Sequence, residues 1–136
     1  MNPTLDHIVL NTRRLDAMLE FYTGVLDLVA DRLDLYRRGE VAFPSVRINE
    51  DSIIDLLPES LWNGGEDSAT HDSPNLNHFC LALGKDRWRT TLDSLAAAGI
   101  DIDSGPMALY GARGNGQAVY IRDPDGNRVE LRCYES

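Results

Sequence analysis

Four residues of this chain could together bind a metal ion: two histidines, His7 and His78, and two acids, Asp55 and Glu130. Neutral imidazoles and carboxylates are ligands of divalent cations, and two carboxylates would balance the charge of one such ion. Without a metal, two carboxylates gathered in one cleft would repel each other, and one would tend to hold a proton. A metal site is therefore one hypothesis. The alternative is that both histidines are satisfied core residues and both acids are solvated.

Strand alternation predicts that these four residues share one face. In a β-strand, successive side chains point to opposite faces. The residues that flank the four candidates are apolar and are expected to lie under helices: Ile8, Leu10, Ile54, Leu56, Phe79, Leu81, Val129 and Leu131. The two histidines and the two acids would then point to the opposite, concave face.

An internal repeat supports this arrangement. The segments L-D-H-I-V-L at 5–10 and L-N-H-F-C-L at 76–81 share the pattern L-x-H-x-x-L. In each half an amphipathic helix and three strand-like segments follow, and the last strand carries a mid-strand acid. Two copies about seventy residues apart indicate paired modules rather than a solenoid. We predict an α+β fold, one domain over 1–136 made of two βαβββ modules at 4–57 and 76–134, joined by a loop at 58–75.

Hydrophobic periodicity predicts the elements that would position the candidates. The first helix would carry an apolar stripe from Leu15 to Leu26 with Asn11 or Thr12 as its cap, and the second would span Asp86–Ala98 and end at Gly99. The predicted strands are Leu5–Leu10, Leu28–Arg37, Glu40–Ile48, Ser52–Leu57, Leu76–Leu83 and Ile100–Ser104, and a glycine-punctuated loop is predicted over Gly105–Gly116. Pro44 suggests an edge position or a bulge in the third of these strands.

The last segment, Val119–Leu131, is predicted to be a hairpin that holds Glu130 out from one face. Asp123 opens a turn, Pro124 presets φ near −65°, and Gly126 supplies the positive φ that closes it. The flanking residues alternate between apolar and polar types, as half-buried strands do. A carboxylate fixed beside a rigid turn is well placed to bind a ligand.

Composition narrows the classes of partner. The chain has 136 residues and a net charge of −9, with no basic stripe, so nucleic acid is not expected as a partner. No apolar run approaches 18 residues, so no membrane span is expected, and no signal segment is recognised, so we expect a cytoplasmic protein. Two cysteines, Cys80 and Cys133, are too few for a disulfide framework or a zinc cluster.

Further ligand-binding candidates are Tyr120, Arg132, Cys80 and Trp62. Arg132 shares the face of Glu130 and could hold a carboxylate or phosphate of a substrate, or could pair with an acid at the rim. Cys80 lies two residues from His78 and is expected to be a small buried filler. Trp62, in the connecting loop, could cover a ligand or could anchor the loop.

The whole pattern resembles the vicinal oxygen chelate superfamily, which includes glyoxalase I, extradiol dioxygenases, and fosfomycin- and bleomycin-resistance proteins. The resemblance covers nearly the whole chain. It is carried by D-H-I-V-L at the start, F-Y-x-x-V-L in the first helix, L-N-H at 76–78, and Y-I-R-D-P-D-G-N-R-V-E-L at 120–131. The segment from Gly105 also resembles a bacterial branch loosely described as glyoxalase-like or virulence-associated. The resemblance implies a curved mixed sheet around a concave metal cleft.

Members similar to glyoxalase I carry metal ligands at the positions that match His7, Asp55, His78 and Glu130, often in a site assembled across a dimer. The resemblance thus implies a divalent metal ion (Ni, Zn, Mn or Fe), a homodimer, and Glu130 as the base. Asp55 departs from the usual Glu and reaches about 1.5 Å less far. It could therefore contact the metal through water, whereas His7, His78 and Glu130 are the safer ligands.

The implied activity is that of a metal-dependent glyoxalase-like enzyme, a lyase or isomerase of the lactoylglutathione-lyase type, which chelates two neighbouring oxygens of a small-molecule substrate. One alternative is a non-catalytic binding or resistance protein, although bleomycin-binding members generally lack the ligands that this chain keeps. The other is an Fe(II) extradiol-type dioxygenase. Its signature requires a His shortly before the position of Tyr120, where this chain has only Gly111, Ala112 and Arg113.

Overall fold

The structure, a computed structural model, describes residues 4–62 and 76–134, which fall into two compact units. Residues 4–62 belong to the first unit and residues 76–134 to the second. Each unit contains one mixed, four-stranded sheet together with helices. The predicted α+β class built on repeated βαβββ modules is therefore confirmed.

The first unit begins with strand β1 and ends with strand β4. In chain order its elements are β1 (His7–Thr12), α1 (Leu15–Leu19), a π-helical segment (Glu20–Val25), β2 (Val29–Asp31), α2 (Leu33–Arg37), β3 (Ser45–Arg47), β4 (Ile53–Pro58) and a 3-10 turn (Glu59–Leu61). The apolar stripe predicted for the first helix is buried against this sheet, since Met18 and Tyr22 are fully enclosed and Leu19 and Leu26 nearly so. Burial of this stripe is what stabilises so short a helix.

The second unit has the simpler succession β5 (Phe79–Ala82), α3 (Lys85–Ala97), β6 (Ser104–Gly111), β7 (Gly114–Arg122) and β8 (Arg128–Cys133). Helix α3 starts one residue before its predicted start, and Gly99 follows its end with φ 71°, as the sequence indicated. Trp88 and Leu95 form the buried face of α3, and the indole N–H of Trp88 donates a 2.8 Å hydrogen bond to the carbonyl of Leu131 on β8.

Both sheets have the same topology. The strand order is β1-β4-β3-β2 in the first unit and β5-β8-β7-β6 in the second, with the first pair parallel and the others antiparallel. The parallel register pairs Val9 with Asp55 in one sheet and Cys80 with Glu130 in the other. His7 and Asp55 therefore share a face in the first unit, and His78 and Glu130 share a face in the second, as strand alternation predicted.

The residues of the other face form the cores. Leu10, Ile54 and Leu56 are buried in the first unit. In the second unit, the buried residues of β5, β7 and β8 are Leu81, Val119, Ile121, Val129 and Leu131. The opposite face is thereby left to the polar candidates.

The predicted strand Leu28–Arg37 is wrong in its second half. Only Val29–Asp31 are strand, Arg32 turns the chain with a φ of 62°, and Leu33–Arg37 form helix α2. In so short a run, the alternation of apolar and polar residues fits a strand as well as a helix. The strand predicted over Glu40–Ile48 shrinks to β3, which is an inner strand, and Pro44 precedes it, so the edge or bulge predicted for that proline is also wrong.

The predicted strand Ile100–Ser104 and loop Gly105–Gly116 are also wrong. Residues 104–111 and 114–122 are instead a hairpin, β6 and β7. The glycines that suggested a loop allow close backbone approach: a Cβ on Gly105, whose φ is 101°, would lie 2.5 Å from the carbonyl oxygen of Ala118. The predicted hairpin at 119–131 is confirmed, with the Gly126 amide donating to the Asp123 carbonyl across the turn.

The predicted cap of the first helix is wrong in detail. The helix begins at Leu15 with Arg14 as its N-cap, and no side chain hydrogen-bonds that end. Thr12 acts one step earlier, because its hydroxyl accepts a 2.9 Å hydrogen bond from the Arg14 amide. In the described parts of the chain, no helix has the length and apolar character needed to cross a membrane.

Truncating the core of the second unit should destabilise it. Leu95 is 1% exposed, so Leu95→Ala should lower the free energy of unfolding by about 2–5 kcal/mol, through lost burial and the cavity left behind. Denaturant unfolding followed by circular dichroism measures this. The exposed neighbour Asp93 provides the control, since Asp93→Ala should change stability by no more than about 0.5 kcal/mol. Equal effects of the two substitutions would contradict the assigned core.

Candidate metal and ligand site

The second unit brings His78 and Glu130 into direct contact. Glu130 lies in the middle of β8 and is only 3% exposed, while His78 immediately precedes β5 on the neighbouring edge of the same sheet. Their facing atoms, His78 Nε2 and Glu130 Oε1, are 3.3 Å apart. The sequence predicted both residues as ligands, and the fold places them side by side.

The orientation of the His78 ring leaves Nε2 free to act as a ligand. On its other side, Nδ1 donates a 2.7 Å hydrogen bond to the side-chain oxygen of Asn77. In a neutral imidazole the second nitrogen is then an acceptor, and here it faces a carboxylate oxygen, which is also an acceptor. With this tautomer, a bound cation would join the two acceptors. The donor chemistry of this pair fits a divalent cation.

The second oxygen of Glu130 is held by Arg132. Arg132 Nε and Nη2 lie 2.9 and 2.6 Å from Glu130 Oε2, and the Cys80 thiol donates to the same oxygen at 3.3 Å. The guanidinium also donates to the carbonyls of Leu109 and Tyr110 on β6. Although burial favours the protonated acid, the hydrogen bonds from Arg132 and Cys80 and the charge of Arg132 lower the pKa of Glu130. Of the two predicted roles for Arg132, the fold shows the ion pair, and the pair is buried rather than at the rim.

Tyr120 completes the wall beside His78. Tyr120 pairs with Glu130 across β7 and β8, its ring meets the His78 ring edge-on at 5.3 Å, and the Arg128 guanidinium lies 3.8 Å from its centre. Burial and the nearby Glu130 carboxylate raise the pKa of Tyr120. The phenol is thus held neutral between a cation and an imidazole.

Cys80 is exposed and is not the buried filler that was predicted. It lies on the edge strand β5 and is paired with Glu130 on the adjacent strand β8. Because Cys80 is two residues from His78, strand alternation turns both side chains to the same polar face. Desolvation of the thiol and the nearby Glu130 carboxylate raise its pKa to about 11. The sulfur is therefore protonated at neutral pH.

A cavity of about 340 Å³ opens on this face of the second unit. Its walls include His78, Glu130, Arg132, Tyr134 and residues 110–112 of the β6–β7 hairpin. The sequence prediction missed Tyr134, although the alternation of Glu130 and Arg132 extends to it. Gly111 leaves room for this wall, because a Cβ there would overlap the Arg132 guanidinium and lie 2.7 Å from the Tyr134 hydroxyl, so one of these side chains would have to shift.

The first unit repeats half of this arrangement. His7 Nδ1 donates a 2.7 Å hydrogen bond to Asp6 Oδ2, as His78 does to Asn77, so Nε2 is again the nitrogen on the other side of the ring. Asp55 is 8% exposed, and its Oδ1 accepts a 2.6 Å hydrogen bond from the buried Ser45 hydroxyl. The hydrogen bond that His7 donates to Asp6 and the charge of Asp55 raise the pKa of His7 above its ordinary value.

Trp62 lies beside β4. Its indole N–H donates a 3.0 Å hydrogen bond to the Leu57 carbonyl, and the Arg13 guanidinium lies 4.6 Å from its ring. These contacts favour the anchoring role over the ligand-covering role. The rest of the predicted connection, residues 63–75, lies outside the described residues.

Each unit by itself thus supplies one oriented imidazole and one carboxylate on one sheet face. Over residues 4–62 and 76–134, His, Cys, Asp and Glu side chains form no group of three or more that could hold a metal ion. The pair best arranged for a cation is His78 with Glu130, since their facing atoms lie 3.3 Å apart.

The comparisons with known proteins fit this fold. Residues 4–131 match the Glyoxalase/Bleomycin resistance protein/Dioxygenase superfamily, and the chain belongs to this superfamily. A curated relative, Virulence protein STM3117 of Salmonella typhimurium, is 28% identical over 131 residues, which cover 96% of this chain and 83% of the relative. Its crystal structure matches with a TM-score of 0.76, at 25% identity over 98% of each chain.

Two more distant crystal structures share the fold. A glyoxalase/dioxygenase from Nostoc punctiforme has a TM-score of 0.75 at 21% identity, covering 98% of this chain and 92% of that one. A lactoylglutathione lyase from Agrobacterium tumefaciens has a TM-score of 0.63 at 20% identity, covering 97% and 94%. These two likenesses concern architecture alone.

The His7–Asp6 pair should be visible as a titration. We expect a His7 pKa above 6.5 that falls in Asp6→Asn, because the hydrogen bond from Nδ1 to a carboxylate favours the imidazolium. Since the folded-state pKa is raised, the stabilisation is complete below the unfolded pKa and is lost as pH rises through the folded pKa. NMR titration of the imidazole protons measures the shift, with Asp16→Asn as a control. An Asp6→Asn protein with an unchanged His7 pKa would refute the pair.

The Cys80 thiol should react slowly at neutral pH. With Cys133 replaced by alanine so that one thiol remains, the rate of alkylation by iodoacetamide should keep rising steeply between pH 8 and 10, since the thiolate forms only near pH 11. A cysteine-containing model peptide, whose rate levels off near the ordinary thiol pKa of 9.0, is the reference. A plateau at that same pH for Cys80 would show that neither burial nor Glu130 raises the pKa of the thiol.

Proposed function

We propose that the protein is a metal-dependent glyoxalase-like enzyme, a lyase or isomerase of the lactoylglutathione-lyase type, acting on a small molecule with two neighbouring oxygens. The observation that carries the proposal is the 3.3 Å approach of His78 Nε2 to Glu130 Oε1, with Nδ1 already bound to Asn77. Membership of the superfamily supports it, because the superfamily includes metal-dependent enzymes of this type.

His78 and Glu130 would be the principal ligands of a divalent ion, Ni, Zn, Mn or Fe. His7 presents the same free Nε2, and we propose it as a further ligand. Asp55 is shorter than the usual Glu and is bound by Ser45, so we propose that it contacts the ion through water. We further propose a cytoplasmic homodimer, an assembly that resembles the related glyoxalases.

Glu130 would also move the proton in the reaction. When bound, a divalent metal supplies Lewis-acid stabilisation of negative charge developing on the substrate oxygens. Arg132 fixes Glu130 Oε2, so the carboxylate cannot rotate away and Oε1 is the atom left to accept or return a proton. Tyr120, which itself lies against Arg128, would restrict the His78 ring from one side and keep Nε2 aimed at the same place.

Replacing the two principal residues should remove the metal. We expect His78→Ala and Glu130→Gln to lose metal stoichiometry, measured by elemental analysis after loading with each ion and desalting, and to lose turnover. Asp93→Asn, at an exposed acid on helix α3 of the same unit, is the matched control and should retain both. Circular dichroism establishes that each variant is folded. Unchanged metal stoichiometry in both site variants would refute the assignment.

A second candidate function, small-molecule binding without chemistry, is favoured by one observation. The hydrogen bonds and charge that Arg132 places on Glu130 lower its pKa, and a weaker base takes up a proton less readily. The same samples separate the two functions. Metal-dependent formation of product from the hemithioacetal of glutathione and methylglyoxal, lost in Glu130→Gln, supports the enzyme. Tight ligand binding with no product from any tested dicarbonyl adduct supports the binding protein.

A further inference from the structure

We propose that Tyr134 is a second binding point in the cavity of the second unit, where its hydroxyl donates a hydrogen bond to an anionic oxygen group of the ligand, of the carboxylate class. The proposal deepens the proposed function, on which it rests for the other end of the ligand, held at His78 and Glu130. It concerns what the site selects and not the reaction itself.

The hydrogen bonds of Tyr134 leave its hydroxyl as a donor. Its oxygen accepts a 3.3 Å hydrogen bond from the backbone amide of Arg113 and a 3.4 Å hydrogen bond from Arg132 Nη1. A phenol oxygen has two lone pairs and one hydrogen, so both lone pairs are in use. Within residues 4–62 and 76–134, no acceptor takes up that hydrogen. Because Tyr134 lines the cavity, a ligand oxygen there would complete its hydrogen bonding.

The surrounding charge favours an anionic acceptor. The Arg113 guanidinium lies 4.2 Å from the centre of the Tyr134 ring, and the Arg132 guanidinium lies 5.4 Å from it. The hydrogen bond from the Arg113 amide and the neighbouring Arg132 lower the pKa of Tyr134, which makes its hydroxyl a stronger donor. The Arg132 charge is paired with Glu130, so the Arg113 guanidinium supplies the positive charge at this end of the cavity, in a chain whose net charge is −9.

Arg132 separates the two ends of the proposed ligand. Its Nε and Nη2 face the Glu130 carboxylate, while its Nη1 faces the Tyr134 hydroxyl. An anionic group at Tyr134 would thus be screened by the guanidinium from the negative charge of Glu130. A molecule with two neighbouring oxygens at one end and a carboxylate at the other matches this order, and the cavity of about 340 Å³ suits a small molecule.

Malate and its dimethyl ester are a matched pair of probes, since only malate carries free carboxylates. Binding is followed by two-dimensional ¹H–¹⁵N NMR at the amides of residues 111–113, in metal-free and metal-loaded protein. We expect malate to shift these amides and Tyr134→Phe to weaken its binding about tenfold or more, because a hydrogen bond to a charged group is lost. The ester should cause no comparable shift.

Two further variants separate the hydroxyl from general effects. Tyr36→Phe removes a hydroxyl from a tyrosine of helix α2, which does not line this cavity, and should leave malate binding within about twofold of the wild type. Arg113→Gln keeps the backbone hydrogen bond and removes the charge, so it should weaken malate binding by a smaller factor than Tyr134→Phe, about two- to fivefold. An equal loss in Tyr36→Phe and Tyr134→Phe would overturn the proposal.

The metal content of each sample separates failure of this inference from failure of the proposed function. If the samples retain metal and malate binds to the wild type and to Tyr134→Phe with the same affinity, only the Tyr134 site is overturned. Absence of metal binding overturns the proposed function, while the comparison of wild type with Tyr134→Phe on metal-free protein still tests Tyr134. If malate produces no shift at residues 111–113 of either form, the inference is wrong.

Discussion

The buried ion pair between Glu130 and Arg132 is the interaction on which the second unit's site depends. Both side chains are almost fully enclosed, so each charge would be costly to bury without the other. The pair is also more than an ion pair, because Arg132 reaches on to the carbonyls of Leu109 and Tyr110. A single guanidinium thus joins the last strand to the β6–β7 hairpin and fixes the carboxylate that faces His78.

Duplication of the module explains how the two halves come to resemble each other at their histidines. In both, the residue before the histidine accepts a hydrogen bond from Nδ1: Asp6 for His7 and Asn77 for His78. In both, an acid lies on the last strand, on the same face. The partners of the acids differ, however, since Asp55 is bound by the neutral Ser45 and Glu130 by the cationic Arg132. The two halves therefore offer the same ligand types with different electrostatic settings.

The sequence was sufficient for the features that follow from strict periodicity. The shared face of His78 and Glu130 followed from strand alternation, and the observed pairing of Cys80 with Glu130 agrees with it. The turn at 123–126 followed equally from its Asp-Pro-Asp-Gly chemistry. These inferences needed only local rules, and the structure confirms them.

What the sequence could not supply were outcomes decided by tertiary contacts. Helix α2 and the hairpin of β6 and β7 occupy stretches where short runs or glycines made the period ambiguous. The sequence also could not show which group binds Arg132, because a guanidinium forms the same hydrogen bonds with a substrate carboxylate as with a neighbouring acidic side chain. Tyr134 was missed although alternation reached it, since its importance lies in contacts with Arg113 and Arg132 that no spacing reveals.

Gly111 gives the hairpin an indirect influence over the acid on β8. The Arg132 guanidinium occupies the space that any larger side chain at 111 would need, so even one methyl group would push on the cation that sets the basicity of Glu130. A substitution at position 111, which carries no functional group, can therefore change the proton affinity of Glu130. Related chains with a larger residue at position 111 could differ in the proton affinity of the acid on β8, although all their candidate ligands are the same.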